Sequence, residues 1–100
     1  MNVVFVPEAR TEFLHAIAYY EEIRCGLGER FKDETDRCIV WIAAHHELYR
    51  LRREGYRRIN MRMFPFNISF VTRESTLWVL AVAHNARKPE YWISRRVGIG

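Results

Sequence analysis

Within the eight residues from His84 to Tyr91 stand His84, Arg87, Lys88 and Tyr91, a cluster of titratable and cationic side chains. Histidine titrates near neutrality, so His84 suits a general acid or base, while arginine is a permanent cation that can hold an anion. The cluster follows an uninterrupted apolar run, Leu77 to Ala83, whose β-branched and aromatic residues predict a strand buried on both faces. A rigid strand that delivers polar groups at its carboxyl end is a common way to build a site. A second polar set lies upstream, where Tyr56 to Phe64 alternates. Arg58, Asn60 and Arg62 fall on one face, and Arg57, Ile59, Met61 and Met63 on the other, the pattern of a half-buried strand with a basic side.

The elements that must position these groups can be read in order. Asn2 to Val6 is a short apolar run closed by Pro7, a first strand, and Pro7 with Glu8 suits the start of a helix. From Glu8 to Arg24, Ala9, Phe13, Ala16, Ile17, Tyr20 and Ile23 recur at spacings of three and four. Arg10, Glu12, His15, Glu21 and Glu22 mostly take the other side, which predicts an amphipathic helix. Cys25-Gly26-Leu27-Gly28 interrupts the pattern, glycine permitting the left-handed turn that ends a helix. A second helix is predicted from Glu29 to about His46 with Phe31, Thr35, Cys38, Ile39 and Ile42 on one face, so the two form an antiparallel hairpin. Val40 and Trp41 sit off that stripe; core packing against the sheet is the favoured reason and a partner surface the less favoured one. Leu48 to Gly55 reads as an exposed loop. Phe66 to Thr72 is a further strand, with Phe66, Ile68 and Phe70 opposed to Asn67 and Ser69. Arg73 to Thr76 then turns it into the Leu77 strand as a hairpin.

The expected fold class is therefore α+β: a two-layer domain over residues 1–100 with an N-terminal strand, a helical hairpin and a three-stranded antiparallel meander, β-α-α-β-β-β. Its helix-facing side would form the core. The opposite side would carry Arg58, Asn60, Arg62, Asn67 and Ser69.

Composition narrows the partners. With 16 Lys and Arg against 12 Asp and Glu, the formal charge is +4, which favours an anionic partner such as nucleic acid or an acidic protein segment. No apolar run approaches the roughly 20 residues that cross a bilayer and no signal pattern opens the chain, so a cytoplasmic protein is expected. Cys25 and Cys38 read as reduced, packed thiols. His45-His46-Glu47 does not suggest a metal site, because adjacent helical side chains point about 100° apart.

Taken together, Tyr19-Tyr20-Glu21, Gly26-Leu27-Gly28 and Phe31, Arg57-Arg58, Phe64 to Phe70, and Ala81-Val82-Ala83-His84 with Arg87, Pro89, Tyr91-Trp92 and Arg95 carry a resemblance that spans nearly the whole chain. The sequence resembles the ParE branch of the RelE/ParE toxin superfamily. That resemblance implies the toxin of a type II toxin-antitoxin pair, of the kind associated with plasmid stabilization and growth inhibition. A cognate antitoxin would wrap and neutralise it, DNA would be reached only through the antitoxin, and no cofactor is implied. A homodimer stays open.

ParE-like members poison DNA gyrase, whereas RelE-like members are mRNA interferases that cleave messages in the ribosomal A site. RNA cleavage needs a base, an acid and cations at the phosphorus. On that reading the catalytic candidates are His84, Arg87 and Tyr91, assisted by Arg58 or Arg62. However, the two positions at which RelE-like enzymes place arginines align with Asn67 and Asn85. Each departure removes a cation, so gyrase binding is the leading reading and ribonuclease activity the alternative. A non-toxic binding module in a repressor complex is a third. On the binding reading, Arg58, Asn60, Arg62, Asn67, Trp92 and Arg95 are the surface for target or antitoxin. His84 becomes a hydrogen-bonding residue at a strand end, and Tyr91-Trp92 a pair that docks the tail.

Overall fold

In the computed structural model, which describes residues 1–99 and side chains through Arg96, the first strand, β1, covers Asn2–Phe5 and the first helix, α1, Pro7–Ile23. Gly26 follows at φ +88°, in the left-handed region that glycine tolerates, and the second helix, α2, runs Leu27–His45. This helix starts two residues before the sequence pattern predicts, so Gly28 lies within it. A Cβ on Gly28 would stand 2.4 Å from the carbonyl oxygen of Ile17, so the residue lets the two helices approach closely. Glu21 stays exposed, as the sequence pattern predicts, and caps that junction by accepting from the N–H groups of Gly26 and Gly28 at 3.0 and 3.1 Å.

Three strands complete the chain: β2 Arg57–Asn60, β3 Phe66–Arg73 and β4 Thr76–His84. The sheet order is β1-β4-β3-β2, with β1 parallel to β4 and the remaining pairs antiparallel. This is the two-layer α+β arrangement expected from the sequence, with both helices on one side of the sheet. At the core, Phe31 of α2 meets Phe66 and Phe64 edge-on at 4.9 and 5.1 Å, with Tyr20 stacked on it at 5.4 Å. Ile68, Phe70, Leu77, Val79 and Leu80 are fully buried beside this cluster. No helix among the described residues is long and apolar enough to cross a membrane.

Cys25, expected to be a packed thiol, is exposed, and the structure corrects three further readings. First, the strand expected over Tyr56 to Phe64 stops at Asn60, because Glu34 of α2, 5% exposed, draws the chain into a turn. Its carboxylate accepts from the N–H of Arg62 at 2.6 Å and of Met63 at 3.1 Å, so Arg62 leaves the face it would share with Arg58. Second, Val40 and Trp41 do not pack against the sheet; they are 71% and 47% exposed. Third, Glu12 does not face solvent. It reaches across to the end of β4, as described below.

Candidate functional site

Register fixes which polar groups share the sheet's outer face. Arg58 pairs with Ser69 and Asn60 with Asn67 across β2 and β3, and Asn67 and Ser69 pair with Ala83 and Ala81 of β4. Residues directly opposite one another point the same way, so Arg58, Asn60, Asn67 and Ser69 form one polar surface. Small alanines beside them leave room above the sheet. The segment after β4 folds over that room, with Trp92 3% exposed and its ring edge-on to Tyr56 at 4.6 Å. The Tyr56 hydroxyl donates to Glu90 at 2.8 Å and closes the cover from the other side. Burial first, and then this carboxylate, push the Tyr56 hydroxyl up from its ordinary value.

Beneath the cover lies a cavity of about 50 Å³ lined by Arg58, Asn67 and Ser69 from the sheet and by His84, Arg87 and Tyr91 from the end of β4 and the segment after it. The Ser69 hydroxyl and the Arg58 Nε are buried there with no hydrogen-bond partner among the described residues. Asn67 is satisfied, its amide donating to the Asn85 side-chain oxygen at 2.8 Å.

His84 borders this cavity, but its register differs from that of Asn67 and Ser69. It pairs with Phe66 and so belongs to the helix-facing side, where the two rings meet edge-on at 5.2 Å. Its Nδ1 accepts from the Ala86 N–H at 2.9 Å, a local bond that shapes the turn after the strand. Arg87 extends from that turn over the Tyr91 ring at 3.9 Å.

Tyr91 and Arg95 are drawn to a carboxylate on α1. Alongside β4, β1 ends at Phe5, and a bulge at Leu80 shifts the register with β3 between Ser69 and Phe70. Glu12 and Arg95 take over the hydrogen bonding there. Glu12 Oε1 accepts from the Val82 N–H at 3.1 Å, and Arg95 donates to the Leu80 carbonyl at 3.0 Å. The two side chains also bond each other as a fork, at 2.9 and 3.1 Å. The Tyr91 hydroxyl donates to the remaining Glu12 oxygen. Burial first, and the Glu12 hydrogen bond second, push that hydroxyl up to about 12.

The residues named from sequence thus fall into three groups. Arg58, Asn60 and Asn67 share the outer face; Arg87, Tyr91 and Arg95 gather around Glu12, with His84 bordering the cavity between these two groups; Arg62 stands apart. Trp92 is a buried anchor for the cover. Glu12, the hub of the second group, carries no local sequence signal, since its partners lie 70 to 83 residues away.

No protein-family model matches the chain, and no curated protein matches it by sequence. Among solved structures it is similar to a chain of the chromosomal ParDE TA system from P. aeruginosa, at a TM-score of 0.63 and 13% identity, over 84% of this chain and 95% of that one. At that identity the likeness is one of fold, and it agrees with the α+β arrangement described above.

Proposed function

We propose that this chain is the toxin of a type II toxin-antitoxin pair, a cytoplasmic protein that arrests growth by binding a protein target, DNA gyrase, and is neutralised by a cognate antitoxin. The observation that carries the reading is the amide pair Asn67–Asn85, standing where an RNA-cleaving relative would need two cations. His84 takes the Ala86 N–H on its Nδ1 and packs edge-on against Phe66, a hydrogen-bonding role at a strand end that supports it. The shared fold with a chain of a ParDE TA system and the charge of +4 are consistent with the same role. The test is induction of the chain without its partner: growth arrest is expected, and harmless accumulation of folded protein would reject the toxin reading in favour of a non-toxic binding module.

One observation favours messenger RNA cleavage instead. The Arg58 Nε and Ser69 hydroxyl, without a hydrogen-bond partner among the described residues, face a cavity that a phosphate oxygen could enter if the cover over Trp92 lifted. Under that alternative, His84, Arg87 and Tyr91 act in catalysis, and arrested cells contain cut transcripts.

A further inference from the structure

Along α2 the molecule carries a surface that its own core does not use. Val40 and Trp41 are 71% and 47% exposed, and Trp41 is braced by His45, whose ring stacks on it at 3.8 Å. Next to Trp41 a groove of about 550 Å³ runs between α2 and β2, floored by Cys38, Tyr49 and Ile59. On a solvated helix a lone exposed aliphatic residue is ordinary, but an exposed aliphatic-tryptophan pair opening onto an apolar groove is the mark of an interface. The groove also borders a free sheet edge. β2 is the last strand in the order β1-β4-β3-β2, and no described strand pairs with its outer flank. Open edges recruit extended segments from other chains.

Charge decides what would sit there. Arg37 and Arg62 border the groove, both are exposed, and among the described residues neither is in an ion pair. The nearby acids are largely occupied: Glu34 holds the turn at Arg62 and Met63, and Asp36 is bonded to Lys32 at 2.8 Å, leaving Asp33 further along the helix. A second copy of this chain would bring arginine against arginine, whereas an acidic segment would be attracted.

We propose that the groove between α2 and the β2 edge binds an acidic, amphipathic segment of the partner protein, its apolar side chains seated on Trp41, Val40 and Ile59 and its carboxylates on Arg37 and Arg62. The proposal rests on the toxin-antitoxin reading and places the neutralising contact away from the outer sheet face. Of the residues first assigned to that contact, Trp92 is buried and Arg95 is held by Glu12, so neither offers a free surface.

The test uses the full chain and the product of the reading frame adjacent to its gene. Trp41 is the exposed one of three tryptophans, Trp78 and Trp92 being partly or fully buried, so its emission reports directly on the groove. Binding should shift that emission to the blue and shield it from a soluble quencher. Trp41→Ala and Val40→Asp, both surface changes, should each weaken affinity at least about tenfold with the melting curve unchanged. Arg37→Glu should slow association and flatten its dependence on salt. Ser75→Ala, exposed in the turn between β3 and β4, should bind within about twofold of the parent. Parent-like affinity in both Trp41→Ala and Val40→Asp overturns the groove while leaving the toxin reading intact, provided the parent binds. A parent that neither binds the product nor arrests growth overturns both. Self-association of the parent that Val40→Asp abolishes would make the groove a dimer interface and overturn the acidic partner.

Discussion

The side chains of Asn67 and Asn85 are bonded to each other, the amide of Asn67 donating to the oxygen of Asn85 at 2.8 Å at the rim of the outer sheet face. Two neutral amides joined by one hydrogen bond supply no cation with which to hold a phosphate in transition. Arginines there would repel each other unless an anion lay between them, so the pair marks a surface that does not require one.

His84→Ala and Arg87→Ala should therefore leave growth arrest within about tenfold of the parent, whereas loss of a general base or a fixed cation typically lowers an enzymatic rate by about 10²–10⁴-fold. Titrating the inducer while following culture density distinguishes the two. Toxicity abolished in both variants, with the fold retained, would restore them as catalytic groups.

Glu12 binds the end of β4, Tyr91 and Arg95 at once, so Glu12→Ala strands a partly buried guanidinium and leaves the Val82 N–H without its acceptor. A loss of about 2–3 kcal/mol is expected, read as a lower thermal midpoint. Arg95→Ala should fall in the same range, and the double variant should lose less than the sum because both remove one network.

Alkaline pH offers an independent reading of that hub. Folding favours the neutral Tyr91 phenol, its hydroxyl being raised from the ordinary 10.0 to about 12 by burial and by Glu12. The stability this adds is whole below pH 10 and is lost as pH rises from there through about 12. In Tyr91→Phe the alkaline fall in thermal midpoint should be shallower than in the parent. Identical alkaline curves would show that the hydroxyl does not sense Glu12.

Glu34→Ala should be among the more damaging changes on α2, lowering stability by about 2–3 kcal/mol, because two N–H groups of the turn lose a charged acceptor. Glu34→Gln, which keeps one acceptor, should recover part of it. Hydrogen exchange at Arg62 and Met63 would localise the effect: faster exchange is expected there first.

The two glycines of the helix hairpin should respond differently. At Gly26 nothing lies within 4 Å of an added Cβ, so Gly26→Ala meets only the left-handed backbone and should cost about 1 kcal/mol. Gly28→Ala drives a methyl into the Ile17 carbonyl at 2.4 Å and must part the helices, for about 2 kcal/mol or more. Comparable denaturation midpoints for the two would contradict the close helix approach.

The parts of this molecule that were legible in its sequence are those governed by neighbours. The stripe of Phe13, Ile17 and Tyr20, the left-handed Gly26 and the hairpin from Phe66 to His84 each follow from spacing within a few residues. What was not legible depends on distant partners. Glu12 and Glu34 look like solvated helix acids, yet each satisfies backbone groups 28 to 70 residues away, and the second shortens β2 and displaces Arg62. Register pairs His84 with Phe66 on the helix-facing side and Asn67 with Ala83 on the outer face, although both border one cavity at the end of β4. Val40 and Trp41 did give a signal, being apolar off the buried stripe; the partner surface, the less favoured reading, is the one their exposure supports.

The most direct test of the central claim is transcript 5′-end mapping in cells arrested by brief expression of this chain without its partner. If the protein works by binding a protein target, arrested cells contain transcripts whose ends match those of uninduced cells. New ends inside translated codons would contradict that account and make the cavity under Trp92, with Arg58 and Ser69, the place where RNA is cut.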